Sequence, residues 1–161
     1  GEGSPEEAGA MEAWEERQRA AMRAPDTARF VVLQMNPFTG FANRVFALAS
    51  ACLLCMALDG ETSLVIDWPA DGERPRGHPN GEVSRMPPLE SLLDIPWALP
   101  LSSMPDTFFH DEPSWPVVTD EDPSFALALS EARFLDEYPQ RVVVLYSVAG
   151  SFFGGRVASA P

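Results

Sequence analysis

A chain of 161 residues with 45% hydrophobic and 10% aromatic content can bury one modest core, so a single domain is expected. Its 24 acids against 11 Lys and Arg leave a formal charge of -13, which argues against a nucleic-acid partner, because binding a phosphate backbone needs clustered cations. No run reaches the roughly 18 to 20 continuous apolar residues that span a bilayer, so no membrane contact by this segment is expected.

Residues 1–10 are small and acidic and are interrupted by Pro5. They hold too little apolar surface to offset the entropy of ordering and are expected to be disordered, ahead of a folded part spanning residues 11–161. From Met11 to Ala24 the apolar residues Met11, Trp14, Ala21 and Met22 recur at helical spacing, and Pro25 ends the run. Arg29 to Met35 is apolar on both faces, as in a central parallel strand, and Asn36-Pro37 breaks it. A turn leads into Val45 to Leu58, a helix apolar nearly all round and therefore expected to be buried, which Asp59-Gly60 ends. Thr62 to Asp67 follows as a second strand. Strand, helix, strand is the βαβ unit, whose crossover makes the two strands parallel and puts the first loop at their carboxyl edge, where open α/β sheets bind ligands.

Most of the 16 prolines gather between Pro69 and Pro123, so the middle of the chain is expected to be loop-rich. Pro88 to Asp94 reads as a helical turn or two, and Trp115 to Val118 as a short strand. Ser124 to Tyr138 reads as a helix and Arg141 to Ser147 as a further buried strand. Gly150 to Pro161 is expected to open another loop and to stop short of closing the sheet.

Cys52 and Cys55 form a lone C-x-x-C inside the apolar helix with no second ligand pair, which reads as two core residues and not as a zinc site or redox motif. His78 and His110 lie in acidic, proline-rich loops and read as exposed. Trp68, Trp97 and Trp115, each beside a proline, either plug the core edge or stack on a sugar ring.

The chemistry gathers at Gly40-Phe41-Ala42-Asn43-Arg44, between a buried strand and a helix. A glycine turn, free N–H groups at a helix start and a guanidinium together make a polar-ligand site, although Asn as a cap with Arg on the first turn is also an ordinary way to begin a helix. Asp67, at a strand end, either faces the cleft as an acid or base or caps the turn at Trp68-Pro69.

Phe30 to Gln34, Gly40 to Arg44, Ala47 to Leu54 and Ser63 to Trp68, in that order and spacing, resemble the opening of the plant xyloglucan fucosyltransferase family. Its pattern is roughly G-x-G-N-R, then A-L-A-S-x-x-L, then an apolar strand ending in Asp. The resemblance is strong over about 40 residues and also takes in Pro88 to Asp94 and Val142 to Tyr146 more loosely. It implies the N-terminal, acceptor-side half of a GT-B-like glycosyltransferase: a Rossmann-like three-layer domain with a parallel sheet, its donor-binding domain lying outside this chain. It further implies transfer of fucose from GDP-fucose to a galactoside or polysaccharide in cell-wall or glycan biosynthesis, without metal or other cofactor, in the Golgi lumen behind an upstream anchor. This segment alone would then be inactive. Carried over by position, Asn43 and Arg44 are the catalytic candidates and Gly40, Phe41 and Asp67 the substrate-binding ones. Ala42 replaces the family's second glycine, which would strain the loop if φ > 0 were needed there. The alternative is a non-catalytic acidic α/β module that binds carbohydrate or a partner.

Overall fold

The structure, a computed structural model, describes residues 3–130 and 132–148. Four strands, β1 (Phe30–Met35), β2 (Ser63–Asp67), β3 (Val117–Thr119) and β4 (Val142–Ser147), lie in the order β2-β1-β4-β3. Every pairing is parallel. This is the α/β, Rossmann-like sheet that the apolar runs predict. β1 is central and all six of its residues are buried, as a strand covered on both faces requires.

Alternation along the strands sorts the core into two faces. Val31, Leu33, Leu64, Ile66, Val143 and Leu145 pack with helix α2 (Phe41–Ala57) and with Phe125 and Phe134 of α4 (Pro123–Ser130) and α5 (Phe134–Glu137). Phe30, Val32, Val65, Val142 and Val144 pack on the opposite face against Leu101, Met104 and Phe108. Leu101 and Phe108 come from short 3₁₀ turns, and Met104 from the residue that ends the first of them, in the loop-rich stretch after the one-turn helix α3 (Leu89–Leu92).

Helix α1 (Pro5–Arg23) runs along the β2 edge and ties it off. The Gln18 side chain donates to the Leu64 carbonyl at 2.8 Å and accepts from the Leu64 N–H at 2.9 Å, so one amide side chain makes both hydrogen bonds of a missing neighbouring strand.

Three expectations change. The first helix begins at Pro5, not Met11, so residues 5–10 are helical and not disordered. The cause is local: Ser4 Oγ accepts from the Glu7 N–H and Glu7 Oε2 from the Ser4 N–H, a capping box that orders the turn although residues 3–13 are exposed. Helix α2 begins at Phe41 and not at Val45, which draws Asn43 and Arg44 into its first turn, and it is not buried all round, since Phe46 and Leu53 are 61% and 60% exposed. The helix expected over Ser124 to Tyr138 breaks into α4 and α5 at Ala132, whose φ of 54° is left-handed. The Gly150 to Pro161 expectation lies outside the described residues.

Candidate functional site

Gly40 is the N-cap of α2 with φ of -70°, an ordinary extended value, and a Cβ added there would meet nothing within 4 Å. Ala42 lies inside the helix, so no strain attaches to the missing second glycine. Phe41 at the first helical position is 42% exposed, and Phe38 beside it 74%. Asn43 is also exposed, one residue ahead of Arg44. Together Gly40, Phe41 and Asn43 form an accessible surface at the carboxyl end of β1.

Arg44 does something else. It is fully buried, and its guanidinium donates to the carbonyls of Thr39 at 2.9 Å, Pro69 at 3.0 Å and Pro37 at 3.4 Å and to Ser84 Oγ at 3.0 Å. It also lies 4.9 Å from the centre of the Trp68 ring. Burial lowers its pKa to about 10, with Asp67 opposing, so it stays charged at neutral pH. With four of its five N–H groups on backbone carbonyls and Ser84 and its side chain fully buried, Arg44 ties the α2 entry to the loop after β2 and does not reach a ligand in this arrangement.

Asp67 sits elsewhere, in a polar row that crosses the sheet at its carboxyl edge. The register pairs Gln34 of β1 with Asp67 of β2 on one side and Tyr146 of β4 on the other, and Tyr146 with Thr119 of β3. Gln34 Nε2 donates to Asp67 Oδ2 at 2.9 Å and to the Arg76 carbonyl at 2.8 Å. Asp67 Oδ2 also accepts from the Arg76 N–H at 2.9 Å. Burial raises the Asp67 pKa, and these two hydrogen bonds oppose the rise.

His78 closes the row. Its Nε2 lies 3.1 Å from Gln34 Oε1, and its ring stacks on Tyr146 at 5.1 Å with an interplanar angle of 19°. Gln34, His78, Arg76, Glu112 and Trp115 line a cavity of about 700 Å³ floored by Val32, Leu101 and Val144. Arg76 is paired with Glu112. Asp67 does not line this cavity; it borders a separate recess of about 150 Å³ with Trp68 and Glu73.

The predicted residues therefore separate into an exposed group at the start of α2, a buried tie at Arg44, and Asp67 in the polar row. Sequence reading passed over Gln34 and Tyr146, which stand inside apolar strand runs, and set His78 aside as an exposed loop histidine. A polar residue breaking a buried strand near its carboxyl end was the available signal. Asp120-Glu121-Asp122 is an Asp-x-Asp triplet, but Asp120 accepts from Ser147 Oγ and the Val148 N–H, and Asp122 accepts from the Ser124 N–H and hydroxyl at the start of α4. No group of three metal-ligating side chains occurs among the described residues.

Both cysteines are buried thiols. Burial raises the Cys52 pKa to about 11 and that of Cys55 further. No helix among the described residues is long and apolar enough to cross a membrane. Compared with protein-family models, with curated proteins and with solved structures, the chain gives no significant match.

Proposed function

We propose that this chain is the acceptor-side half of a GDP-fucose-dependent fucosyltransferase of GT-B-like architecture. In this reading it presents a neutral galactoside or polysaccharide to a donor sugar held by another part of the full-length protein. The observation that carries the reading is the cavity of about 700 Å³ at the carboxyl edge of an all-parallel sheet, where open α/β sheets hold ligands. The sequence resemblance around Gly40 to Arg44 supplies the reaction class.

The roles differ from those carried over by position. Phe38, Phe41 and Asn43 stand outside that cavity, at the start of α2, where Phe41 and Phe38 offer exposed aromatic surface to a further sugar unit of the acceptor and Asn43 an exposed amide to its hydroxyls. Arg44 holds the loop in place and leaves the charge of the departing diphosphate to residues outside this chain. Asp67 orients Gln34 and, through it, the polar row. No metal is required by this reading, and it implies residence in the Golgi lumen.

The test is transfer of fucose from GDP-fucose to a galactosylated xyloglucan oligosaccharide by the full-length protein. Asn43→Ala is expected to lower kcat/KM about tenfold, the scale of one lost hydrogen bond to substrate. An inactive wild-type protein, or an Asn43→Ala variant with unchanged kcat/KM, refutes the reading. A second reading, a carbohydrate-binding module without catalysis, is favoured by one observation: the sole cation of the loop is consumed by Thr39, Pro69, Pro37 and Ser84. It predicts oligosaccharide binding with no turnover of GDP-fucose.

A further inference from the structure

We propose that the cavity beside His78 binds an uncharged saccharide, and that Nδ1 of His78, left free by a fixed tautomer, accepts a hydrogen bond from one of its hydroxyls. The tautomer follows from the Gln34 amide. Its two neighbours on one side are the Arg76 carbonyl at 2.8 Å and Asp67 Oδ2 at 2.9 Å. A backbone carbonyl only accepts, and Asp67 Oδ2 already accepts from the Arg76 N–H, so the amide nitrogen of Gln34 faces them. Its oxygen therefore faces His78, 3.1 Å away. An amide oxygen has no hydrogen to give, so Nε2 of the imidazole carries the proton and the neutral ring keeps its lone pair at Nδ1. No described residue donates to Nδ1, and stacking on Tyr146 holds the ring plane.

The lining sets the ligand class. Arg76, the cation on the wall, is engaged by Glu112 and packs 4.0 Å from the centre of the Phe109 ring, so it is not open to neutralise an anion. The chain's charge of -13 adds to that bias. Val32, Leu101, Val117 and Val144 with Trp115 give the apolar surface that the C–H faces of a sugar ring pack against, and a lone-pair acceptor calls for a hydroxyl. The volume of about 700 Å³ lies within the range of about 300–1,000 Å³ common for small-molecule sites. The choice of saccharide rests on the acceptor-side reading above; the tautomer does not.

The experiment uses this chain labelled with ¹⁵N, at pH 8, with a galactosylated xyloglucan oligosaccharide as the probe. His78 is expected to show a protonated Nε2 and an unprotonated Nδ1, and the Nδ1 resonance is expected to move as oligosaccharide is added. His78→Asn, whose amide oxygen stands near the place of Nδ1, should bind within about threefold of wild type. His78→Gln keeps the donor to Gln34 but has no acceptor at that place, and should bind about tenfold more weakly with an unchanged backbone amide spectrum. A proton on Nδ1, a His78→Gln variant of wild-type affinity, or no response to millimolar oligosaccharide overturns the proposal. Failure of the transferase reading alone has a different signature: this binding pattern intact, with no turnover of GDP-fucose by the full-length protein.

Discussion

Arg44 shows how far a residue's chemistry depends on what surrounds it. Beside a glycine turn, a guanidinium suggests an anion site, yet four acceptors already occupy it. Arg44→Ala should lower the stability to urea by about 3 kcal/mol or more, because it strips partners from buried carbonyls. Arg44→Lys should recover less than half, since one ammonium cannot follow the planar fork; a fully stable lysine variant would show that charge and not geometry matters. Loss of activity in either variant therefore reports folding before catalysis. Asp67 makes the opposite case. Its pKa is raised by burial, so the folded state binds the proton more tightly than the unfolded one. Its contribution is then fullest below the unfolded value of about 3.9 and declines as pH rises through the folded one. Asp67→Asn keeps an acceptor oxygen for Gln34 and Arg76 without the desolvated charge, so its thermal midpoint at pH 7 should equal or exceed that of wild type. A lower midpoint would mean that the charge itself holds the row together.

At the scale of elements, the helices differ from the sequence reading mainly in where they start and stop. Burial periodicity locates a helix, but its ends depend on short-range hydrogen bonds. Ser4 and Glu7 extend α1 outward without any apolar payload, and Gly40 starts α2 ahead of the apolar run. Ala132 ends α4: its N–H reaches the Leu129 carbonyl at 3.3 Å and the Arg133 N–H reaches the Ala128 carbonyl at 2.8 Å, the paired bonds of a Schellman cap. That cap needs a left-handed residue, which alanine adopts at a cost and glycine does not. Ala132→Gly is therefore expected to stabilise the chain by about 1 kcal/mol in urea titration. Destabilisation by that variant would mean that the left-handed conformation is not kept in solution.

Across the whole molecule, the loop-rich face is held to the sheet mainly by Arg141 and an aromatic cluster. Arg141 donates to the carbonyls of Pro25, Ala28 and Phe108 and makes a two-bond pair with Asp111 at 2.9 and 2.7 Å, joining the α1–β1 connection to the segment of 3₁₀ turns. Phe30, Phe108, Phe109 and Trp115 pack beneath it. The Arg141 guanidinium holds the Asp111 pKa well below the usual carboxylate range. A depressed carboxyl contributes stability above its unfolded value of about 3.9 and loses it as pH falls toward the folded one. Asp111→Ala should cost about 2 kcal/mol at pH 7, from charge-assisted bonds lost at a partly buried pair, and much less at pH 2. Equal losses at both pH values would assign the effect to packing. On the other face, Ala42, Phe46, Ala49 and Leu53 leave α2 with an exposed stripe, because only one side of that helix meets the sheet.

The amino-acid sequence by itself determined the parallel α/β sheet, the four strands to within a residue or two and the loop-rich middle, since these follow from apolar runs and proline content that any viable packing must respect. It also singled out Gly40 to Arg44 at the end of β1 as a polar-ligand site, of which Gly40, Phe41 and Asn43 are exposed and Arg44 is buried. Only the tertiary structure decided that Arg44 is spent on backbone carbonyls and that Gln34, Asp67, His78 and Tyr146 meet. Those four lie on three strands and a loop separated by up to 112 residues (from Gln34 to Tyr146), and nothing in their local spacing anticipates a register that sets them side by side. Periodicity is a property of one segment, whereas a site at a sheet edge is a property of how segments pair.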